Sequence, residues 1–425
     1  MSSKILDIPP RTQRQWKSMA GQQKLAGQTM HDHAFKSASK FTLTDFLTLR
    51  ILWKSVDPKE FDYDKFGLDL TLVKDAENKL SGYRSWEEYR KSFQEKKPRE
   101  GSFFLAKLFQ DQAAEILTDE ISCSISPRKT RSMTKTPHDE PQTPVKSSGL
   151  ITGEAAFSAI GESLYQPEEG SGSRIPLWTP STKGSVLSAE YTPDDLLLAK
   201  TINEQIVNTA LVNFLKAITE HFPGITQRWT IHPWTFNATA KGTKLYEART
   251  DGFLSDRYNR HLCSIIEVKA AQRSQKMFDI FMQESAQMVA WILSQPNESL
   301  KLRGRYVYEH IALIQGFRTN RIDRCFQVLQ DRHEIYINFA EFGEKYLRYV
   351  RGQEDDLDDN DPESFMNIFQ VGPYSTSKVH DMERFVPILL ALTLRVDMDK
   401  GSMNPRETTK SDLTRKFEQM HLGSK

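Results

Sequence analysis

Residues 265–275 read IIEVKAAQRSQ, an apolar run that carries a glutamate and a lysine two positions apart. Side chains of a β-strand alternate between its two faces. Ile266, Val268 and Ala270 therefore point one way, and Glu267 and Lys269 the other. The first face belongs to a core. The second sets a carboxylate beside an ammonium at the end of a strand. Just upstream, YEARTDGF (246–253) places Asp251 before Gly252. Two neighbouring strands joined by a short turn would bring Asp251 beside Glu267 and Lys269.

The flanking pattern predicts how that strand is housed. Leu198, Ile202, Ile206, Ala210, Phe214 and Ile218 recur every four residues, the signature of one apolar helix stripe. Thr192 is placed to cap this helix, with Pro193 in its first turn and Asp195 at the positive end of the dipole. Beyond Pro223-Gly224 the period changes, and TQRWTIHPWTFNA, KLYEARTDGFLS and HLCSIIEVKA read as three strands. A helix follows from about Gln275 to Leu293, then the strand candidates HIALIQGF and EIYINFAEF, a helix around GEKYLRYVRG, and an acidic loop, EDDLDDNDPES. A last helix carries Met382 to Leu394. Its apolar stretch, Phe385–Leu394, is about half of what a membrane span needs. This order predicts an α/β domain over 189–400, a mixed central β-sheet flanked by helices.

The rest of the chain divides by composition. Residues 1–40 are polar, rich in Gln, Lys and Ser, and read as disordered. Residues 41–120 carry three helical patterns, TLTDFLTLRILWKS, SWEEYRKSFQEK and SFFLAKLFQDQAAEIL, with Thr42 and Ser85 as N-caps and Glu88 completing a capping box at the second. Residues 121–188 are basic, Ser/Thr/Pro-rich and too poor in apolar residues to bury a core, so they read as a disordered linker. Residues 401–425 form a C-terminal tail. With 57 basic and 56 acidic residues in 425, total charge points to no partner, and any electrostatic footprint has to be local. The three cysteines are scattered and form no zinc pattern. A reducing compartment, nuclear or cytoplasmic, is the expectation.

Two carboxylates are a minimal hard-cation site for Mg²⁺ or Mn²⁺, with water and a substrate phosphate completing the shell. A lysine beside them can orient or deprotonate an attacking water and offset developing charge. Asp251, Glu267 and Lys269 thus suit metal-assisted phosphodiester hydrolysis. The pattern Asp251…Glu267-Val-Lys269, with a helix before and after, resembles the PD-(D/E)XK nuclease superfamily over residues 190 to 395. The string ARTDGFLSD…IIEVKA…QESAQMVAWI is similar to the superfamily's variants in fungal genomes. The resemblance implies a restriction-endonuclease-like fold and Mg²⁺-dependent cleavage of DNA. It implies that Asp251 and Glu267 hold the metal, that Lys269 positions the water, and that Gln283 on the following helix points into the site. It offers Glu204 of the first helix as a further metal ligand. The proline that precedes the aspartate in the family is Thr250 here.

The short pattern alone is not specific: Glu95-Lys96-Lys97 and Asp57-Pro58-Lys59 match it in charged surroundings. On plain readings Glu267 and Lys269 are a surface ion pair, Asp251 is a turn residue, and Gln283 and Gln287 are a polar helix stripe. The fold can also persist as an inactive module that binds nucleic acid or protein, and the N-terminal helices can serve a protein partner. For nucleic acid, the candidate contacts are Arg303, Arg305, Arg318 and Arg321, interleaved with Tyr306, Tyr308 and Phe317.

Overall fold

The strand Leu262–Lys269 (β6) lies inside a seven-stranded mixed sheet. The computed structural model describes residues 8–115, 203–258, 261–295, 323–354 and 357–403. The sheet runs β1 (Ile51–Val56), β9 (Met366–Ser375), β8 (Glu334–Phe342), β7 (Asp323–Asp331), β6, β5 (Gly252–Asp256) and β2 (Gln227–Thr230). The β1–β9 and β6–β7 pairs are parallel and the other pairs antiparallel. A separate hairpin joins β3 (Trp234–Ala240) to β4 (Thr243–Thr250). The expected α/β architecture with a mixed, helix-flanked sheet is present.

Both faces of the sheet are covered, which explains why β6 is buried on both sides. Ile266 and Val268 enter one core with Phe326, Val328, Ile337 and Phe339. Helices α3 (Leu70–Ser81), α4 (Arg84–Glu95), α5 (Phe104–Ala114), α6 (Glu204–Thr219) and α9 (Val379–Met403) close it. Ile265 enters the opposite core with Ala340 and Ile368, beneath α1 (Gln13–Gln22), α2 (Leu43–Thr48), α7 (Met277–Ser294) and α8 (Glu344–Val350). The apolar run at 385–394 is the buried part of α9, and no described helix is long and apolar enough to cross a membrane.

Several sequence readings are corrected. Residues 8–40, read as disordered, dock on the sheet: the Trp16 indole donates to the Leu47 carbonyl at 2.9 Å, and the Pro10 carbonyl accepts from the Trp53 amide at 2.9 Å. Their anchors are single large side chains, Trp16, Leu25 and Met30, with no repeating period to betray them. The region 41–120 is not a separate helical unit. Its first predicted helix stops at Thr48, and Ile51–Val56 becomes the sheet's edge strand, paired with a segment three hundred residues downstream. The helices that follow cover the sheet and belong with it to one compact unit. Ser85 caps nothing: α4 begins at Arg84 without a side-chain cap, and Glu88 instead accepts from Lys91 and Arg99. Thr42 does cap α2, in a capping box with Asp45. The linker 121–188, the cap at Thr192, the strand candidate HIALIQGF and most of the C-terminal tail lie outside the described residues.

Candidate functional site

The charged face of β6 turns toward α7. Glu267 is only 2% exposed, yet every hydrogen bond to its carboxylate comes from a neighbour chosen by helix or strand spacing. Gln283 and Gln287, one turn apart on α7, donate their amide N–H groups to Oε1 and Oε2 at 2.6 Å each. Lys269, two residues along β6, donates to Oε1. Burial pushes the Glu267 carboxyl up to about 8 against the pull of the Lys269 cation, and the charge of Asp251 adds to the rise. Burial works against the Lys269 cation too. Glu267, Asp251 and Glu204 outweigh it, so Lys269 is held above its ordinary value and stays an ammonium.

Asp251 occupies the break where the chain leaves the β3–β4 hairpin and enters the main sheet as β5. Its amide donates to the Ile266 carbonyl at 3.0 Å, and its Oδ2 accepts from the Val268 amide at 3.0 Å. The aspartate is thereby pinned across the backbone that carries Glu267 and Lys269. Among the described residues no hydrogen bond reaches Asp251 Oδ1. Gly252 serves close packing here rather than a turn: a Cβ at this position would stand 2.4 Å from the Thr230 carbonyl oxygen on β2.

Glu204 is the first residue of α6, exposed, and its charge reaches Lys269. One turn further on, Asn208 donates to the Asp251 carbonyl at 3.0 Å. Sequence reading passed over Asn208. Its signal was a polar residue on the buried side of an apolar helix. Gln287 is paired in the sequence with Gln283, one turn away on the same helix, and on the plain reading both are a polar stripe. In the fold Gln287 is fully buried, bonds Glu267 and the Arg249 carbonyl, and accepts from Gln327 at 3.2 Å.

Beside this cluster lies a second one that no motif announced. Arg273, in the loop after β6, is forked between Asp331 (2.6 Å) and Glu284 (2.5 and 3.0 Å). Asn338 also donates to Glu284 at 3.0 Å. Asp331 pairs in register with Lys269, and Glu284 follows Gln283 on α7. The ion cluster therefore holds β7, β8 and α7 in the positions that the Glu267 contacts require.

Asp251 and Glu267 are hard oxygen donors near the carboxyl end of a strand, close enough for the charge of one to act on the other, and such donors fit Mg²⁺ or Mn²⁺. Among the described residues no group of three or more acidic, histidine or cysteine side chains converges as a ligand set. The remaining positions of such an ion would fall to water and substrate. Arg303, Arg305, Arg318 and Arg321 lie outside the described residues. No protein-family model, no curated protein and no solved structure matches this chain.

Proposed function

We propose that the chain is a metal-dependent nuclease of restriction-endonuclease-like fold that hydrolyses phosphodiester bonds in DNA. The observation that carries the reading is the meeting of Asp251, Glu267 and Lys269 across one pair of strands, with Asp251 bonded to the amide between the other two. Mg²⁺ or Mn²⁺ held by the two carboxylates would offset charge on the phosphate and acidify the attacking water. Lys269, being an ammonium, orients that water or a phosphate oxygen by donating hydrogen bonds and does not act as the base. Gln283 is the less buried of the two glutamines and is the one able to reach substrate; Gln287 and Asn208 are positioning residues.

The test is cleavage of plasmid and single-stranded DNA by the full chain with Mg²⁺ or Mn²⁺. Lys269→Ala is expected to slow cleavage about 10²-fold or more, with an unchanged circular dichroism spectrum. Absence of cleavage with both ions, or equal rates for the variant, defeats the proposal. A second reading has one observation in its favour: three N–H donors already occupy Glu267. A closed carboxylate of this kind suits an inactive module that binds nucleic acid or protein, and DNA binding without cleavage would select it.

A further inference from the structure

A cavity of about 430 Å³ opens beside the Arg273 cluster, between the start of α7 and the strands β8, β9 and β1. Its size falls in the range of ordinary ligand sites. It lies on the α7 side of the sheet and at the same end as Lys269. Strands are spaced about 4.8 Å apart, so β8 stands about 10 Å and β9 about 15 Å from the strand that bears Glu267.

The lining has two chemistries. Trp53, Phe281 and Tyr336 present flat apolar surface, with the Trp53 and Phe281 ring centroids 4.4 Å apart. The Trp53 indole N–H is already committed to Ser285 at 3.0 Å, which fixes that ring. Polar atoms occupy the edges, and those left over are mostly acceptors. Gln370 is 7% exposed; its Nε2 donates to Asn338, and among the described residues its Oε1 has no hydrogen-bond partner. Glu334 accepts from the Tyr336 hydroxyl at 2.9 Å through one oxygen, and its other oxygen accepts from none of the described residues. Ser55 is the register partner of Gln370 on β1 and sets a hydroxyl beside that amide. Arg11, exposed, adds a cation to the lining.

We infer that this cavity binds a nucleobase with an exocyclic amino group, adenine, cytosine or guanine. Aromatic walls take the faces of any base. Unpaired acceptors on Gln370 and Glu334 select a base whose edge donates, because thymine would set carbonyl oxygens against them. Arg11 suits the attached phosphate. The base can belong to a free nucleotide or to an unstacked position of a strand. The second source rests on the nuclease reading, since the cavity then accepts a base a short way along the strand from Lys269.

The experiment uses the full chain without divalent ions, so binding is read apart from cleavage. The 5′-monophosphates of adenosine, cytidine, guanosine and thymidine are titrated by saturation-transfer NMR. A single-stranded oligonucleotide carrying one 2-aminopurine is followed by its fluorescence. Adenosine, cytidine and guanosine monophosphates are expected to bind at least about tenfold tighter than the thymidine compound, the lower end of what one base-edge contact discriminates. Ser55→Tyr, on an exposed position of the edge strand, fills the cavity and should abolish binding; Gln370→Met should erase the preference. Response to the mononucleotides assigns a free nucleotide, and response of the oligonucleotide alone assigns an unstacked base; both support the site. No response to either probe, equal binding of thymidine monophosphate, or a signal unchanged in Ser55→Tyr overturns it. Retained binding with no cleavage by the native chain would sink the nuclease reading and leave this one standing.

Discussion

Replacing Arg273 by methionine tests whether the buried ion cluster governs the fold around the site. The Arg273, Glu284 and Asp331 side chains are 4%, 1% and 0% exposed, so the two carboxylates depend on the guanidinium rather than on bulk water. Two carboxylates are then left buried beside each other, and Asp331 Oδ1 already lacks a partner. Removing one member of a buried ion pair costs about 3–5 kcal/mol, most of it for the charge left behind. The expected loss for Arg273→Met at neutral pH lies in that range. The loss should depend on pH. Burial already pushes both carboxyls above their ordinary values of 4.5 and 3.8, and loss of the cation pushes them further. An acid whose pKa is raised by folding binds more protons folded than unfolded, so stability is greatest at low pH and falls as pH rises.

The measurement is urea denaturation of Arg273→Met and the native chain at about pH 5 and about pH 8, conditions on either side of the expected titration. The variant's deficit should be clearly larger at the higher pH. A triple replacement, Arg273→Met with Glu284→Leu and Asp331→Leu, should recover most of it, because apolar groups of similar volume commonly match a buried pair. A loss below about 1 kcal/mol at pH 8, or equal losses at the two pH values, would refute the argument that desolvated charge dominates there.

Gly252→Ala should destabilise the chain by about 1–3 kcal/mol, since the new methyl meets the backbone of β2, which has no rotamer to move; thermal unfolding reads this directly. Gln287→Leu should cost about 1–3 kcal/mol by leaving Glu267 Oε2 and Gln327 short of a partner, and should lower cleavage without abolishing metal binding, as calorimetry with Mn²⁺ would show. Burial, helped by Arg332 and Lys378, pushes His333 down to about 4. A base depressed by folding contributes stability that is whole above its unfolded value near 6.5 and is lost as pH falls through about 4. His333→Gln should therefore flatten the acid side of the stability profile, and an unchanged slope between those values would count against the assignment.

What the sequence disclosed follows from how many residues share one constraint. The strand at 262–269, the helices at 204–219 and 277–294 and the buried end of α9 each repeat a period, so their faces could be assigned. Asp251, Glu267, Lys269 and Gln283 were legible because two of them sit against an apolar strand and the others one element away. Three of the sheet's seven strands went unread. β7 (DRCFQVLQD) and β9 (MNIFQVGPYS) interrupt their apolar residues with Gln327, Gln330, Asn367 and Gln370, which looks like loop composition. In the fold those amides face partners: Gln327 bonds Gln287, and Gln370 bonds Asn338. β1 was swallowed by the helix pattern that precedes it, since a six-residue strand with a partner at 366–371 carries no local mark of that partner. Two strands predicted as continuous are each broken: Ile231-His232-Pro233 separates β2 from β3, and Asp251 separates β4 from β5. Both breaks occur where the chain passes between the hairpin and the main sheet. The second break is what delivers Asp251 to β6.

The same amides bear on why the site is built as it is. Where a helix lies on a sheet, apolar contact is the cheaper solution, yet α7 meets the sheet through Gln283, Glu284, Ser285 and Gln287. They are answered by Glu267, Gln327, Asn338 and the Trp53 indole. A seam of this kind adds little to stability, because polar groups exchange water for one another at small net gain and buried charges often do worse than hydrocarbon. What it supplies is uniqueness. An apolar interface tolerates a slide of the helix, whereas a shift of one residue here would strand a carboxylate and several amides without partners at about 1–3 kcal/mol each. The register of α7 against β6 is therefore set to within a hydrogen-bond length, and that register fixes where the Glu267 carboxylate points. A sheet that needed only to fold had no use for such a constraint; one that holds two carboxylates and a lysine in fixed relation, as the proposed function requires, does.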